Sequence, residues 1–424
     1  MTNYSRTTLR ELKKRYLNIL KKCLLANLGL ILLSTPSIAE TEIIFDEVYE
    51  NMTKTNTDTR GGAVELWGYR DDKIESAETT LFDSNTAIAT SNFARGGALW
   101  IGPNSSASFS DIVHFKNNTA QGNQTAGGGA IWLDHQALLS VNAPADTTTS
   151  GGLLFYNNKA TSTVESNGGA IINYGGVVSI SVDTIFDSNV AEAMNGNAYG
   201  GALFNISSFT FEKGGHATFI NNEAIGKNVY GGAIHNGGVN AVLIFNDEAL
   251  FKNNKATAVG SYSYGGAINN RGGSVVFEDM DNNTEMPAVP NITYSMTFKG
   301  DTTFTGNKAE SETSISYGGA IYNGGYMLLA GENTFGGYLQ DTEDADEDGD
   351  KTEYILDSEG NKISLGNQAT LGGAIFNTCG KKEGDVIAYG MTFGKSTFMG
   401  NTALSHGGLC TLCSRWTVRT DAMT

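Results

Sequence analysis

Proline and cysteine are scarce in this 424-residue chain, which has five of the first and four of the second against 53 glycines. Glycine in excess without proline is turn-rich sequence rather than a disordered Pro/Gly segment. So few cysteines exclude a disulfide-stapled scaffold. Helical periodicity is missing too, because no stretch spaces its apolar residues about 3.6 apart. The apolar run from Leu24 to Leu33 covers roughly ten residues, too short to span a bilayer. Basic residues are outnumbered, 28 Lys and Arg against 45 Asp and Glu, for a net charge of −17.

Part of the positive charge is concentrated at the start. Arg6, Arg10, Lys13, Lys14, Arg15, Lys21 and Lys22 precede the apolar run, and Ser37-Ile38-Ala39 follows it as a small-residue cleavage site. Residues 1–39 therefore read as an export signal, with a membrane anchor as the alternative. Cys23 lies ahead of the run, which argues against a lipid-attachment box. Without those seven bases and Glu11, the remainder holds 21 basic and 44 acidic residues, a net of −23. Such a surface repels nucleic acid and anionic lipid, so nucleic acid is set aside as a partner.

What the chain has in abundance is one repeated unit. A Gly-Gly-Ala step begins at Gly61, Gly96, Gly128, Gly168, Gly200, Gly231, Gly265, Gly318 and Gly372, and Phe-x-x-Asn-x-Ala begins at Phe82, Phe115, Phe155, Phe186, Phe219, Phe251, Phe304 and Phe398. Self-similarity at a basic period of 31 to 40 residues marks a repeat architecture in which each unit buries its apolar face against its neighbours. Within a unit, short runs such as Val177–Ser181 and Val242–Phe245 alternate and are bounded by Gly-Gly and Asn. These are strands separated by tight turns. Three short strands per unit would form one rung of a parallel β-helix.

Comparison between units assigns side chains to inside and outside. The residue after Gly-Gly-Ala is aliphatic in every copy, from Val64 and Leu99 to Ile375, and so belongs to the core. The next one varies from Glu65 and Trp100 to Trp132, His235 and Phe376, and is expected at the surface. Two residues past the aliphatic one, on the inward parity of a strand, the first three units carry Leu66, Ile101 and Leu133. The following six carry Asn173, Asn205, Asn236, Asn270, Asn323 and Asn377, which predicts an inward asparagine ladder bonded from rung to rung. The Asn of Phe-x-x-Asn is expected to cap the next turn in a left-handed conformation.

The tandem Gly-Gly-Ala-Ile and Phe-x-x-Asn tetrapeptides resemble the polymorphic outer-membrane protein repeats of chlamydiae and related autotransporter passengers, over about residues 61–404. The resemblance implies an all-β fold, a single-stranded right-handed parallel β-helix or solenoid of about nine to ten rungs. It also implies an exported protein of the bacterial cell surface, outer membrane or secreted fraction, with no single binding activity specified. Residues 40–60 are expected to form an N-terminal cap, 61–405 the β-helix passenger, and 406–424 an atypical tail.

Two insertions, 278–295 and 336–362, lengthen the period, and loops on a repetitive scaffold are where specificity is usually placed. The second holds the local chemical signal Asp344, Asp346, Asp348, Gly349 and Asp350, whose alternating carboxylates and glycine match the first half of a calcium loop. The twelfth place is Ile355 instead of Glu, and a solvated acidic loop is the plainer reading. No other cofactor is expected. Cys410 and Cys413 form a C-x-x-C pair without a second pair, best read as incidental thiols. Past Ala403 the pattern fails at Gly407-Gly408-Leu409-Cys410. A chain truncated before a translocator barrel is the favoured expectation, a secreted passenger without its own translocator the other; an outer-membrane partnership requires that barrel in the full gene.

The function expected is non-enzymatic and adhesin-like, with loops presented to a host or bacterial surface protein or glycan. The alternative is a polysaccharide-processing β-helix of the pectinase type, which needs clustered carboxylates in a groove. The five histidines, His114, His135, His216, His235 and His406, are scattered between units, and no Asp cluster recurs at equivalent places. Trp100 and Trp132 occupy the same outward position in consecutive units and are the candidate binding surface, as a stacked pair that could hold a sugar ring or a partner protein.

Overall fold

Residues one repeat apart pair strand to strand, always in parallel: Ile171 lies opposite Leu203, and Leu203 opposite Ile234. A computed structural model describes residues 42–44, 48–67, 73–76, 79–143, 152–272, 274–276, 291–338, 340–341, 353–354, 357–359, 361–378, 390–406 and 410–411. All fall in the unit Glu40–Thr424. The export signal, Asp344, Asp346, Asp348 and Asp350, and Cys379 and Cys413 lie outside the described residues.

The protein is a parallel β-helix. Three of its sheets hold ten strands each, so the described residues make ten coils. Each of the first eight coils contains five strands, and each of the last two contains four, where the sequence suggested three. In the sixth they are Ser208–Phe211, Ala217–Ile220, Glu223–Gly226, Asn228–Tyr230 and Ile234–Asn236. The third and fourth escape sequence reading because they carry no bulky apolar residue on the inside. Their inward side chains are Ala224, Gly226 and Val229, and Ala224 and Val229 belong to a cluster of small residues separate from the main core. With so little side chain between them the two strands close into a thin arm on the main body.

Identical side chains stack along the interior. The Phe row from Phe82 to Phe398 places ring centroids 4.6–5.1 Å apart, nearly parallel, and Tyr49 extends it into the first coil. The expected asparagine ladder runs Asn173, Asn205, Asn236, Asn270, Asn323 and Asn377, each Nδ2 donating to the next Oδ1 at 2.7–2.9 Å. A second ladder comes from the eight Phe-x-x-Asn residues together with Asn367, from Asn85 to Asn401, at 2.9–3.0 Å. These asparagines do not take the left-handed conformation expected of them. The residue just before does: Ser84, Asn117, Asn157, Ser188, Asn221, Asn253, Gly306 and Gly400 have φ of 53–64°. The turn is one place earlier because the motif Asn is needed inside, where its amide satisfies buried backbone.

Of the stretch expected as a cap, residues 53–56 and 59–60 are strands in parallel register with the second coil. At the far end Cys410 pairs with Ile375, so the coil register continues past Ala403 to Thr411. Each insertion starts from an antiparallel strand pair, Ser274–Val276 with Asn291–Thr293 and Gln340–Asp341 with Glu353–Tyr354.

Candidate functional site: an aromatic furrow at the Gly-Gly turn

Between the arm and the next strand the chain turns at Gly-Gly. In the fifth coil Gly200 has a φ of 59°, which suits glycine alone at no steric cost. A Cβ on Gly201 would collide with the Gly232 carbonyl of the following coil and with Glu223 backbone. The turn is therefore sharp and tightly stacked, and it folds the outer face of the arm toward the outer face of the Gly-Gly-Ala-Ile strand.

Two rows of outward side chains meet in that angle. One is the residue just before each Gly-Gly: Arg60, Arg95, Gly127, Asn167, then Tyr199, Tyr230, Tyr264 and Tyr317, and last Leu371. The other is the variable residue after the aliphatic one. Tyr199 packs edge-on to Phe204 at 5.8 Å, Tyr264 to Tyr322 at 4.9 Å and Tyr317 to Phe376 at 4.9 Å. Because both rows point away from the core yet touch each other, the outer angle is a narrow furrow along the stack.

Trp100 and Trp132 form part of its floor. They lie opposite one another in adjacent coils, as expected, but they are 2% and 5% exposed and cluster with Ile172 and Phe204. The variable position is thus not free surface. Strand alternation tells which side a residue points to, not what covers it. Arg60 lies over Trp67 and Trp100 at 4.8 and 5.2 Å, and Arg95 over Trp132 at 5.4 Å. Trp67 meets Trp100 edge-on at 5.1 Å.

The other half of the furrow is a tyrosine row. Tyr199, Tyr230, Tyr264 and Tyr317 stack at 4.7, 5.2 and 5.2 Å, each half-buried. Stacking hides the ring faces and leaves rims and phenol groups outward. Burial, with Glu165 nearby, pushes Tyr199 up to about 12, and burial beside Tyr230 does the same to Tyr264, so these phenols stay neutral at physiological pH. Arg271 is exposed and lies over Tyr230, Tyr264 and Tyr322 at 5.0–5.7 Å. Beneath it His235 is buried, its Nδ1 2.9 Å from Asn269 Oδ1. Burial, reinforced by the Arg271 guanidinium, pushes this imidazole down to about 3.

Sequence reasoning missed the tyrosines and arginines, although a signal for them is there: the position before Gly-Gly repeats Tyr in four consecutive units. The eighth coil carries both motifs in full, Phe304-x-x-Asn307-x-Ala309 and Gly318-Gly-Ala-Ile321-x-Asn323, together with the furrow pair Tyr317 and Tyr322. Residues 301–324 match the family model of the Chlamydia polymorphic membrane protein (Chlamydia_PMP) repeat. The polymorphic membrane protein repeat therefore spans one arm and both walls of the furrow. The match covers 24 of the 424 residues. No curated protein and no solved structure matches the chain.

Proposed function

We propose that the chain is a non-enzymatic binding passenger of the adhesin type, exported to the bacterial surface or secreted, which engages a host, matrix or bacterial partner through its outer face. The observation that carries this reading is the contrast between the two faces of one strand. At the inward position the coils repeat Ile, Leu or Val, as stacking requires. At the outward position they carry Glu65, Trp100, Trp132, Ile172, Phe204, His235, Asn269, Tyr322 and Phe376. Six of these nine, Trp100, Trp132, Ile172, His235, Asn269 and Tyr322, are buried, so the accessible variety lies in the half-buried row before Gly-Gly, which runs from Arg60 and Arg95 to Tyr199, Tyr230, Tyr264 and Tyr317. The fold does not ask for that variety, whereas recognition of a partner does. The polymorphic membrane protein repeat supports the surface placement in general terms.

The test is binding of purified, labelled protein to host cells, immobilised matrix proteins and bacteria. Saturable binding to at least one is expected. Linear, unsaturable uptake on all of them would contradict the adhesive reading. Release of reducing ends from acidic glycans would contradict the non-enzymatic part.

A further inference from the structure

The three arginines among the described residues, Arg60, Arg95 and Arg271, all lie in the furrow. In a chain with 45 carboxylate side chains, chance pairing would be easy. Yet among the described residues none of the three guanidinium groups has a carboxylate within 4.0 Å or a hydrogen-bond partner, although lysines elsewhere do, such as Lys255 with Glu310 at 2.9 Å. Each rests on an aromatic ring, and its in-plane N–H donors, up to five per group, have no acceptor among the described residues.

Arg60 and Arg95 are moreover register partners on neighbouring parallel strands. Like charges in that position repel; burial and then Arg60 hold Arg95 below its ordinary value, and the more distant carboxylates of Asp134 and Asp58 offset this only in part. A stacked cover for Trp67 and Trp100 needs no second cation beside the first. An anion between the two would remove the conflict. Unsatisfied polar atoms collect beneath the same place: of five buried side-chain polar atoms without a partner among the described residues, four are Trp100 Nε1, Trp132 Nε1, Asn167 Oδ1 and Asn269 Nδ2.

We infer that the furrow is the binding site for a strand of acidic polysaccharide, with Arg60, Arg95 and Arg271 holding its carboxylate or sulfate groups and the aromatic rims lining its sugar rings. The inference rests on the surface-binding reading and names the ligand class for it. Arg271 sits five coils beyond Arg95, about 24 Å at the usual strand separation, a span suited to a linear polymer and not to a small anion. An acidic peptide is the less fitting occupant. Extended peptides are normally captured by main-chain pairing at a sheet edge, whereas the backbone on both walls here is already paired from coil to coil, as in Gly200 N–H to Tyr230 carbonyl at 3.0 Å. What the furrow offers is side-chain donors and rings, and its three arginines are the local exception to a net charge of −17 that otherwise repels polyanions.

The experiment titrates the full chain with heparin and polygalacturonate oligosaccharides, with dextran and polyglutamate as controls, and repeats it on Arg271→Gln, on Arg271→Lys and on the triple variant Arg60→Gln/Arg95→Gln/Arg271→Gln. Thermal unfolding of each variant verifies the fold. Because a guanidinium grips a carboxylate or sulfate with two donors at once, its removal predicts a weakening of about tenfold for Arg271→Gln, little rescue by Lys, and no measurable binding by the triple variant. Equal binding of acidic oligosaccharide and dextran, equal binding by wild type and triple variant, or tighter binding of polyglutamate than of either glycan would overturn the assignment. Cell binding separates the two levels. If the folded triple variant still binds cells like wild type, the furrow is not the site and the surface-binding reading stands. If wild type binds no surface, that reading falls and the oligosaccharide titration decides the furrow by itself.

Discussion

Asn222 Nδ2 donates to Asn254 Oδ1 at 3.0 Å and to the Phe186 carbonyl at 2.9 Å. Its own Oδ1 accepts from both the backbone N–H and the Nδ2 of Asn189, each at 3.0 Å. One fully buried amide thus ties three coils together with every donor and acceptor in use. Replacing it strands the Asn189 backbone N–H and takes one bond each from the Phe186 carbonyl, Asn189 Nδ2 and Asn254 Oδ1, the last two keeping the Phe155 carbonyl and the Asn222 N–H; a stranded buried group costs about 1–3 kcal/mol. Asn222→Ala is expected to lower stability by about 3 kcal/mol or more. Asn221→Gly, at a left-handed φ of 54°, is expected to be close to neutral. Thermal unfolding followed by circular dichroism compares the two.

The Gly-Gly turn makes a steric prediction. Gly201→Ala drives a Cβ into the backbone of the next coil, and no flexible side chain is there to yield. Folded yield should collapse. Gly152→Ala meets nothing within 4 Å and has no left-handed backbone, so its unfolding midpoint and soluble yield should match wild type.

His235 predicts how stability responds to acid. Its folded value lies near 3 against 6.5 when unfolded. Between those values the unfolded chain binds a proton that the folded chain refuses. Stability contributed by the neutral, buried ring is therefore whole above pH 6.5 and is lost progressively as pH falls toward 3. Arg271 above and Tyr199 and Tyr230 beside it supply no carboxylate to hold the charged ring. His235→Phe, which copies Phe204 of the preceding coil, should flatten the drop in unfolding midpoint between pH 7 and pH 4.

His216 runs the opposite way. Its Nδ1 lies 2.9 Å from Asp183 Oδ1, and that hydrogen bond raises its pKa. The contribution is present below 6.5 and disappears as pH rises through the raised value. Because both groups are more than half exposed, His216→Gln should shift the midpoint only slightly, and only at acidic pH.

The inner face of this fold is legible in the sequence because stacking demands near-identity there. Ile171, Leu203 and Ile234, the Phe row and the ladder from Asn173 to Asn377 all appear where the repeat places them. The arm is illegible for a physical reason: its interior is Ala224, Ala256 and Ala258 rather than Ile or Phe, so it lacks the bulky alternation that marks a strand. The pairing of Trp100 with Trp132 is legible and their burial is not, since Arg60 and Arg95, which cover them, come from the opposite side of the Gly-Gly turn. The furrow itself depends on contact between two outward rows, which strand alternation does not reveal. The acidic residues from Asp344 to Asp350 lie outside the described residues.

Hydroxyl-radical footprinting of the full chain, with and without a saturating acidic oligosaccharide, tests the furrow most directly. Protection is expected at Trp67, Tyr199, Tyr230 and Tyr264, whose rims line it, with little change at Tyr156 on the outside of another face. Protection confined to the insertions at 278–295 and 336–362, with the furrow tyrosines oxidised as before, would contradict the account.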